Sequence, residues 1–284
     1  MKKIIFLSLT AIFVFISSCS YAIEASSILN FESSVTFDSR GNEWTAYGNP
    51  VLSNAESHSG GNVLYLDGNS YIQAKDTKPF DFPGEFTLSA WIYPQKLVTD
   101  HYGGESFSIF SRWFHGIRTL YLIDIGDGKL SFYSDFAGAI SLVSKSSVPL
   151  NQWTHIAVTR DSNNVMRLFI NGKLEAEKTI ARDFSSTDYP MTIGASSNAM
   201  RKSIGCIEDC AVYKKCLYTS DFDVSGYAHK GEVKKNENEN ENANLKNEKN
   251  FSVADEIRKF KSLLDDGIIT QEEFDAQKKK LLGL

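Results

Sequence analysis

The chain has 284 residues, 42% hydrophobic and 23% charged, with 30 Lys and Arg against 35 Asp and Glu and a formal net charge of -5. That length can bury one sizeable core and still carry a small extra module. The acidic balance, with no basic stripe, excludes nucleic acid as a partner.

The chain opens on an export signal. Lys2-Lys3 is a positive n-region and Ile4 to Ile16 an apolar h-region. The run is shorter than the roughly 20 apolar residues of a membrane-spanning helix. Two processing routes compete. Ser20-Tyr21-Ala22 offers small residues for plain cleavage before Ile23, and Ile16-Ser17-Ser18-Cys19 resembles a lipobox in which Cys19 is lipidated. Either route predicts an exported protein, secreted, periplasmic or on the cell surface, with membrane contact only through such a lipid anchor.

Short β segments follow. Ile28 to Phe31 is a first strand, Phe37 to Asn42 is turn chemistry, and Gly61 to Ile72 holds two short strands around Asp67-Gly68-Asn69. Phe86 to Ile92 alternates, with Phe86, Leu88, Ala90 and Ile92 on one face, and Pro94 is expected to end it because proline cannot donate to the ladder. Leu97 to Glu105 reads as a loop and Ser108 to Trp113 as a strand. Leu120 to Ile125 and Lys129 to Phe136 flank the hairpin turn Gly126-Asp127-Gly128.

The clearest stretch runs from Trp153 to Ile180. Ile156 and Val158, then Met166, Leu168 and Ile170, recur with a period of two across the polar turn Asp161 to Asn164. Asn171-Gly172 supplies the two positive-φ residues of a type I′ hairpin into a third strand near Lys173 to Ile180. Met191 to Gly194 and Cys206 to Tyr213 supply the last strands. Short, regularly spaced strands without a long 3.6-residue period predict an all-β antiparallel sandwich. Cys206 and Cys210 share a face of an unbroken strand, but about 13 Å apart at ~3.3 Å per residue they are too far for a bridge. Cys216 reaches either only if the chain turns back, so the three thiols read as packing residues.

Leu66-Asp67-Gly68 with Tyr71-Ile72, Phe86 to Ile92, Trp153 to Val158, Leu168 to Gly172, Thr192-Ile193-Gly194 and Gly205 to Tyr213 together resemble the laminin-G-like (concanavalin A-like) jelly rolls over about 28–222. The resemblance implies a jelly-roll sandwich and a recognition role. It departs from the family pattern at Glu208-Asp209, where the usual acid pair is reversed, and at Cys210 and Cys216. From Glu232 to Asn250 the chain turns to Asn, Glu and Lys, too polar to bury surface, and reads as a disordered linker. Beyond it, Ile257, Phe260, Leu263 and Leu264 recur at helical spacing, Asp265-Asp266-Gly267 breaks the helix, and Thr270 to Glu273 is a capping box stapled by Ile269 and Phe274. With Leu281-Leu282 this segment resembles the short C-terminal (SHOCT) domain. A hairpin of about thirty residues rarely stands alone, so Ile257, Phe260, Leu264, Ile269, Phe274 and Leu281 are candidates for self-association or partner docking. The expected order is signal (1–22), jelly roll (23–230), linker (231–250) and helical hairpin (251–284).

The chemistry available to this chain is limited. Glycoside hydrolysis needs two carboxylates flanking one bond, about 5 to 9.5 Å apart, and the Glu-x-Asp-x-x-Glu string of laminarinase-like members is missing. Glu208 and Asp209 are adjacent, so on a regular strand they face opposite ways, leaving them structural or weak calcium candidates. Asp124 and Asp127 could mark a calcium loop, but Asp127-Gly128 reads more simply as a hairpin tip. The five histidines lack zinc spacing, and no motif calls for a cofactor. Trp113, Phe114, Tyr121, Phe132 and Tyr133 crowd a region with His115 and Arg118. Aromatic faces stack on sugar rings, so Trp113, His115, Arg118, Tyr121 and Tyr133 are the ligand-binding candidates; the same aromatics could instead fill the core. The sequence thus predicts a non-enzymatic recognition protein for a glycan or a cell-surface or extracellular protein. An assembly protein without a small ligand is the alternative, and a glycoside hydrolase a distant third.

Overall fold

A computed structural model describes residues 24–32, 34–54, 57–58, 60–99, 104–114 and 118–135, continuing over 137–186, 189–196 and 201–225 (113, 114 and 118 as backbone only). Of the last segment it describes Gln271, Phe274, Asp275, Lys278 and Lys279. The expected export signal with Cys19, the linker, and Ile257, Phe260, Leu264, Ile269 and Leu281 lie outside the described residues. Two compact units separate near residue 234.

The first unit is a β-sandwich. Its strands are β1 (Ser27–Leu29), β2 (Trp44–Tyr47), β3 (Val51–Ser53), β4 (Val63–Asp67), β5 (Tyr71–Ala74), β6 (Phe86–Lys96), β7 (Val98–Thr99) and β8 (Glu105–Phe114). There follow β9 (Arg118–Gly126), β10 (Lys129–Ser134), β11 (Ile140–Ser147), β12 (Thr154–Arg160), β13 (Val165–Ile170), β14 (Lys173–Thr179), β15 (Thr192–Ile193) and β16 (Ile204–Tyr213). The first sheet runs β14-β13-β12-β6-β16-β4-β3, with β1 also on β16; the second runs β11-β10-β9-β8-β15-β5-β2, with β7 on β8. β4 and β5 lie in different sheets, so Asp67-Gly68-Asn69 turns a corner between layers. Asp67 holds that corner by accepting the N–H groups of Asn69 and Ser70 at 2.8 and 2.9 Å.

The inward faces form one core. Phe86, Leu88, Ala90 and Ile92 of β6 meet Ile156 and Val158 of β12, Leu168 of β13 and, from the other layer, Phe107, Ile123, Leu130 and Phe132. Each fully buried large apolar side chain contributes roughly 1.5–3 kcal/mol. The expected hairpins form as read. Asn171 and Gly172 take φ of 48 and 74°, and Asp127 and Gly128 take 50 and 78°. Gly172 is required twice over, because a Cβ there would lie 2.0 Å from the Phe222 carbonyl oxygen.

Three local expectations change. Pro94 does not end β6, which continues to Lys96, because a bulge between Ile204 and Gly205 relaxes the register opposite it. The stretch read as a loop from Leu97 contains β7 and the start of β8. A second bulge between Glu208 and Ala211, with Asp209 at φ 50°, reverses the facing of β16. Cys210 therefore joins the core while Cys206, two residues before Glu208, points to the outer face; both are buried and Cys216 is half-buried, and none of the three is in a disulfide. In the second unit the five described residues are helical, with Phe274 buried and Lys278 Nζ 6.0 Å from its ring centroid.

Candidate functional site

Strand alternation fixes what the second sheet shows on its outer face. With Leu130 and Phe132 inward, β10 turns Lys129, Ser131 and Tyr133 outward. Register aligns two cross-strand rows there: Ser111, Leu122, Tyr133 and Ser141, and beside it Ser108, Asp124, Ser131 and Val143. Adjacent strands lie about 4.8 Å apart, so β9 to β11 span about 10 Å. Over this strip lies a groove of about 580 Å³, lined by Leu122 and Val143, by Tyr133, and by Asp124, Asp127, Lys129, Ser131, Asp135 and Arg201 among others.

The polar walls are tied in place. Asp124, 1% exposed, accepts a hydrogen bond from Ser131 Oγ and pairs with Arg201 Nη1 at 3.0 Å. Arg201 is held beside Ser196 by the Ala195–Lys202 bridge and by Ser196 N–H to the Arg201 carbonyl at 3.0 Å. Ser203 Oγ ties the end of that segment to the Ser108 carbonyl at 2.7 Å. Asp135 accepts the Thr119 N–H, and its carboxylate lies beside the Tyr133 hydroxyl. Burial, then the Asp135 carboxylate, pushes the Tyr133 phenol above its usual pKa, so near neutral pH the hydroxyl stays protonated. A half-buried aromatic face beside acceptors, a lysine and an arginine can stack a ring and hydrogen-bond its substituents.

The five ligand-binding candidates divide. Tyr133 lines the groove. Trp113 is paired with Thr119, a groove residue, and Arg118 closes the same β8–β9 hairpin opposite Phe114; His115 lies outside the described residues. Tyr121 changes role. It is 1% exposed and faces the core, with its hydroxyl donating to the Phe80 carbonyl at 3.2 Å and the Arg112 guanidinium 6.0 Å from its ring centroid. It shares the inward face of β9 with Ile123 and Ile125, and Phe132 is core as well. Sequence reasoning missed Lys129, Ser131, Asp135 and Arg201. The alternation of β10 could have found the first two; Arg201 meets Asp124 across 77 residues of sequence and left no local signal.

The acids weighed for calcium have other uses. Asp124 faces Arg201, and Asp127 forms the hairpin tip. Glu208, 1% exposed, accepts the His58 N–H at 3.0 Å, while Asp209 sits in the bulge. Among the described residues no group of three His, Cys, Asp or Glu could hold a metal ion. Trp91, opposite both Glu208 and His155, stacks on His58 with ring centroids 4.0 Å apart. Phe222 covers His155 edge-on at 5.8 Å. Burial, then His58, lowers the His155 pKa to about 3, so this imidazole is a neutral framework group.

Comparison with known proteins agrees with this fold. The family model of the concanavalin A-like lectin/glucanases superfamily, in its laminin-G-like form, matches residues 66–221. The chain belongs to that superfamily. A short C-terminal domain model matches residues 255–282, following the superfamily domain as expected. A botulinum-like toxin, eBoNT/J, from Enterococcus sp. (strain 3G1_DIV0629) is 24% identical over 162 residues, which are 55% of this chain and 13% of the toxin. The chain thus spans a small part of that relative. Among solved structures, domain 4 of AbnA, a GH43 extracellular arabinanase from Geobacillus stearothermophilus in complex with arabinotriose, superposes with a TM-score of 0.56 at 20% identity. That match covers 69% of this chain and 95% of the domain. The binding domain of Paraclostridial Mosquitocidal Protein 1 gives 0.55 at 16% identity, covering 68% and 49%. A botulinum neurotoxin type C structure, from work on cell entry that depends on two ganglioside molecules, gives 0.51 at 16%, covering 69% and 49%. These likenesses establish the superfamily fold.

Proposed function

We propose that the protein is an exported, non-enzymatic recognition protein whose jelly roll binds a glycan in the groove over β9, β10 and β11. The observation that carries this reading is the half-buried face of Tyr133, set between Asp135 and the Asp124–Arg201 pair in a groove of about 580 Å³. An aromatic platform with fixed donors and acceptors suits a sugar, whose ring stacks through C–H groups and whose hydroxyls both donate and accept. Solved relatives of the same fold include a domain in complex with arabinotriose and a toxin whose cell entry depends on gangliosides. Trp113, whose backbone pairs with the groove residue Thr119, and Arg118 beside it belong to the same reading, with His115 as a further candidate. The Glu-x-Asp-x-x-Glu arrangement of glycosidases is absent from the sequence, which favours binding over hydrolysis.

The test is a glycan array probed with the full chain and with Tyr133→Ala. Binding that the substitution removes supports the reading; binding untouched by it, or none to any glycan, refutes it. For the tail, we propose that the helical segment 251–284 docks on a second copy or a partner, a reading supported by the short C-terminal domain match. Sizing the protein with and without 251–284 tests self-association, and an unchanged mass per particle beyond the lost residues refutes it.

A further inference from the structure

Three short segments cover much of the apolar outer face of the first sheet. Ala25 and Ile28 pack over Ala211 and Tyr213 of β16. Tyr218 and Phe222, stacked with ring centroids 3.7 Å apart, cover Ala157 and Phe169, and Phe222 reaches His155. His58 stacks on Trp91 at 4.0 Å. The row beside them stays in partial contact with solvent. Strand register aligns Val51 of β3 with Tyr65 of β4, Tyr65 with Cys206 of β16, and Cys206 with Tyr93 of β6. Trp153, just before β12, continues the row with its ring centroid 5.5 Å from that of Tyr93. Their neighbours Leu64 and Ile92 face the core, so strand alternation turns this row outward. Val51 is 42% exposed, Tyr65, Tyr93 and Trp153 are half-buried, and the small Cys206 side chain lies buried between the two tyrosines.

We propose that this row is a binding strip for a linear glycan chain, separate from the groove on the second sheet. Its shape sets the ligand class. From Tyr65 to Trp153 the strip crosses from β4 to β12, about 14 Å at about 4.8 Å between strands, and it is one side chain wide. His58 bounds one long side, its ring edge-on to Trp153 at 5.9 Å. Val51, Tyr65, Tyr93 and Trp153 together expose on the order of 300 Å². That is well short of the roughly 800 Å² per partner that a stable protein complex buries. A peptide laid across the face would find no ladder for its backbone groups, because strand addition happens at sheet edges. A sugar chain needs neither a large area nor a ladder. Its rings stack through C–H faces on Tyr65, Tyr93 and Trp153, and its hydroxyls bond the two phenols or stay in water.

The experiment is affinity electrophoresis of the full chain in gels holding soluble linear glucan, xylan, mannan or arabinan. At least one polymer should retard the protein. Tyr65→Ala should weaken that retardation about tenfold, and Tyr65→Phe, which keeps the ring, should retain most of it. Tyr133→Ala, on the other sheet, should leave it unchanged. Trp44 and Trp91 are buried, so a shift of tryptophan emission on adding the retarding polymer should vanish in Trp153→Phe while the retardation persists. Hexasaccharides of that polymer should compete better than disaccharides, which are too short to span the strip. No retardation by any polymer, retardation indifferent to Tyr65→Ala, or an emission shift that survives Trp153→Phe would overturn the proposal. Retardation lost in Tyr133→Ala would put the chain in the groove, overturning the strip while leaving the glycan reading of the groove intact.

Discussion

The Asp124–Arg201 pair joins the fold to the candidate site, and its strength can be worked out from burial. Asp124 has 2% of its side chain exposed and Arg201 29%, with Nη1 to Oδ2 at 3.0 Å. Fully exposed pairs couple by about 0.2–1 kcal/mol, whereas breaking a buried pair costs about 3–5 kcal/mol. This pair lies between those limits. Asp124→Asn keeps an acceptor for Ser131 Oγ but removes the charge, and should cost about 2 kcal/mol. Arg201→Gln leaves Asp124 buried without its cation, at a similar cost. The double variant should recover about 1.5 kcal/mol relative to the sum of the singles. Urea denaturation at constant m-value is the assay. Because the acid is buried, most of the coupling should persist at about 0.5 M salt. Additivity of the two substitutions within about 0.3 kcal/mol would refute the reasoning.

Three further outcomes follow from the framework. Arg112 is fully buried, with Nε to the Tyr189 carbonyl at 2.5 Å and Nη1 to the Phe80 carbonyl and Asp81, each at 2.7 Å. Arg112→Ala should cost about 3–5 kcal/mol in urea unfolding, and Arg112→Lys should rescue only part, because an ammonium cannot reproduce the fork. His155 is held neutral in the fold, with a pKa near 3, and takes up a proton on unfolding near 6.5. Its depressed pKa therefore contributes stability above 6.5 that is lost as pH falls toward 3, about 2 kcal/mol by pH 5. His155→Gln should flatten the difference between unfolding at pH 7 and pH 5 by about that amount; an unchanged slope would show that another group carries it. Burial raises the Cys210 thiol pKa well above its ordinary value and raises that of the half-buried Cys216. Alkylation of the native protein should thus mark Cys216 slowly and leave Cys206 and Cys210 unmodified until unfolding, as mass spectrometry would read.

Strands with two strong periodic faces were legible because their register is set locally. Ile156, Val158, Met166, Leu168 and Ile170 alternate inward as their spacing requires, and Asn171-Gly172 and Asp127-Gly128 form the type I′ turns their chemistry demands. The bulges were not legible, since they are decided by the partner strand. Asp209 carries no residue-level mark of the shift that parts Cys206 from Cys210, whereas the inward facing of Tyr121 follows from its spacing with Ile123 and Ile125. β2, β3 and β11 were missed for a related reason. Ile140 to Ser147 has only Ile140, Leu142, Val143 among its apolar residues, and forms a strand because β10 offers an edge and Ser144 Oγ accepts the Leu130 N–H at 3.1 Å. At the groove, Tyr133 could be named from β10 alone, whereas Arg201 and Asp135 are defined by contacts that only the folded sheet creates.

The central claim is that Tyr133 forms the floor on which a glycan stacks. Titration calorimetry with the best glycan from the array, run on the full chain and on Tyr133→Ala, tests it most directly. Removing one stacking ring should cost about 2 kcal/mol, roughly a thirtyfold weaker Kd, while urea unfolding stays cooperative because Tyr133 lies on the outer face of β10 and not in the core. Equal affinities for the two proteins would contradict the account.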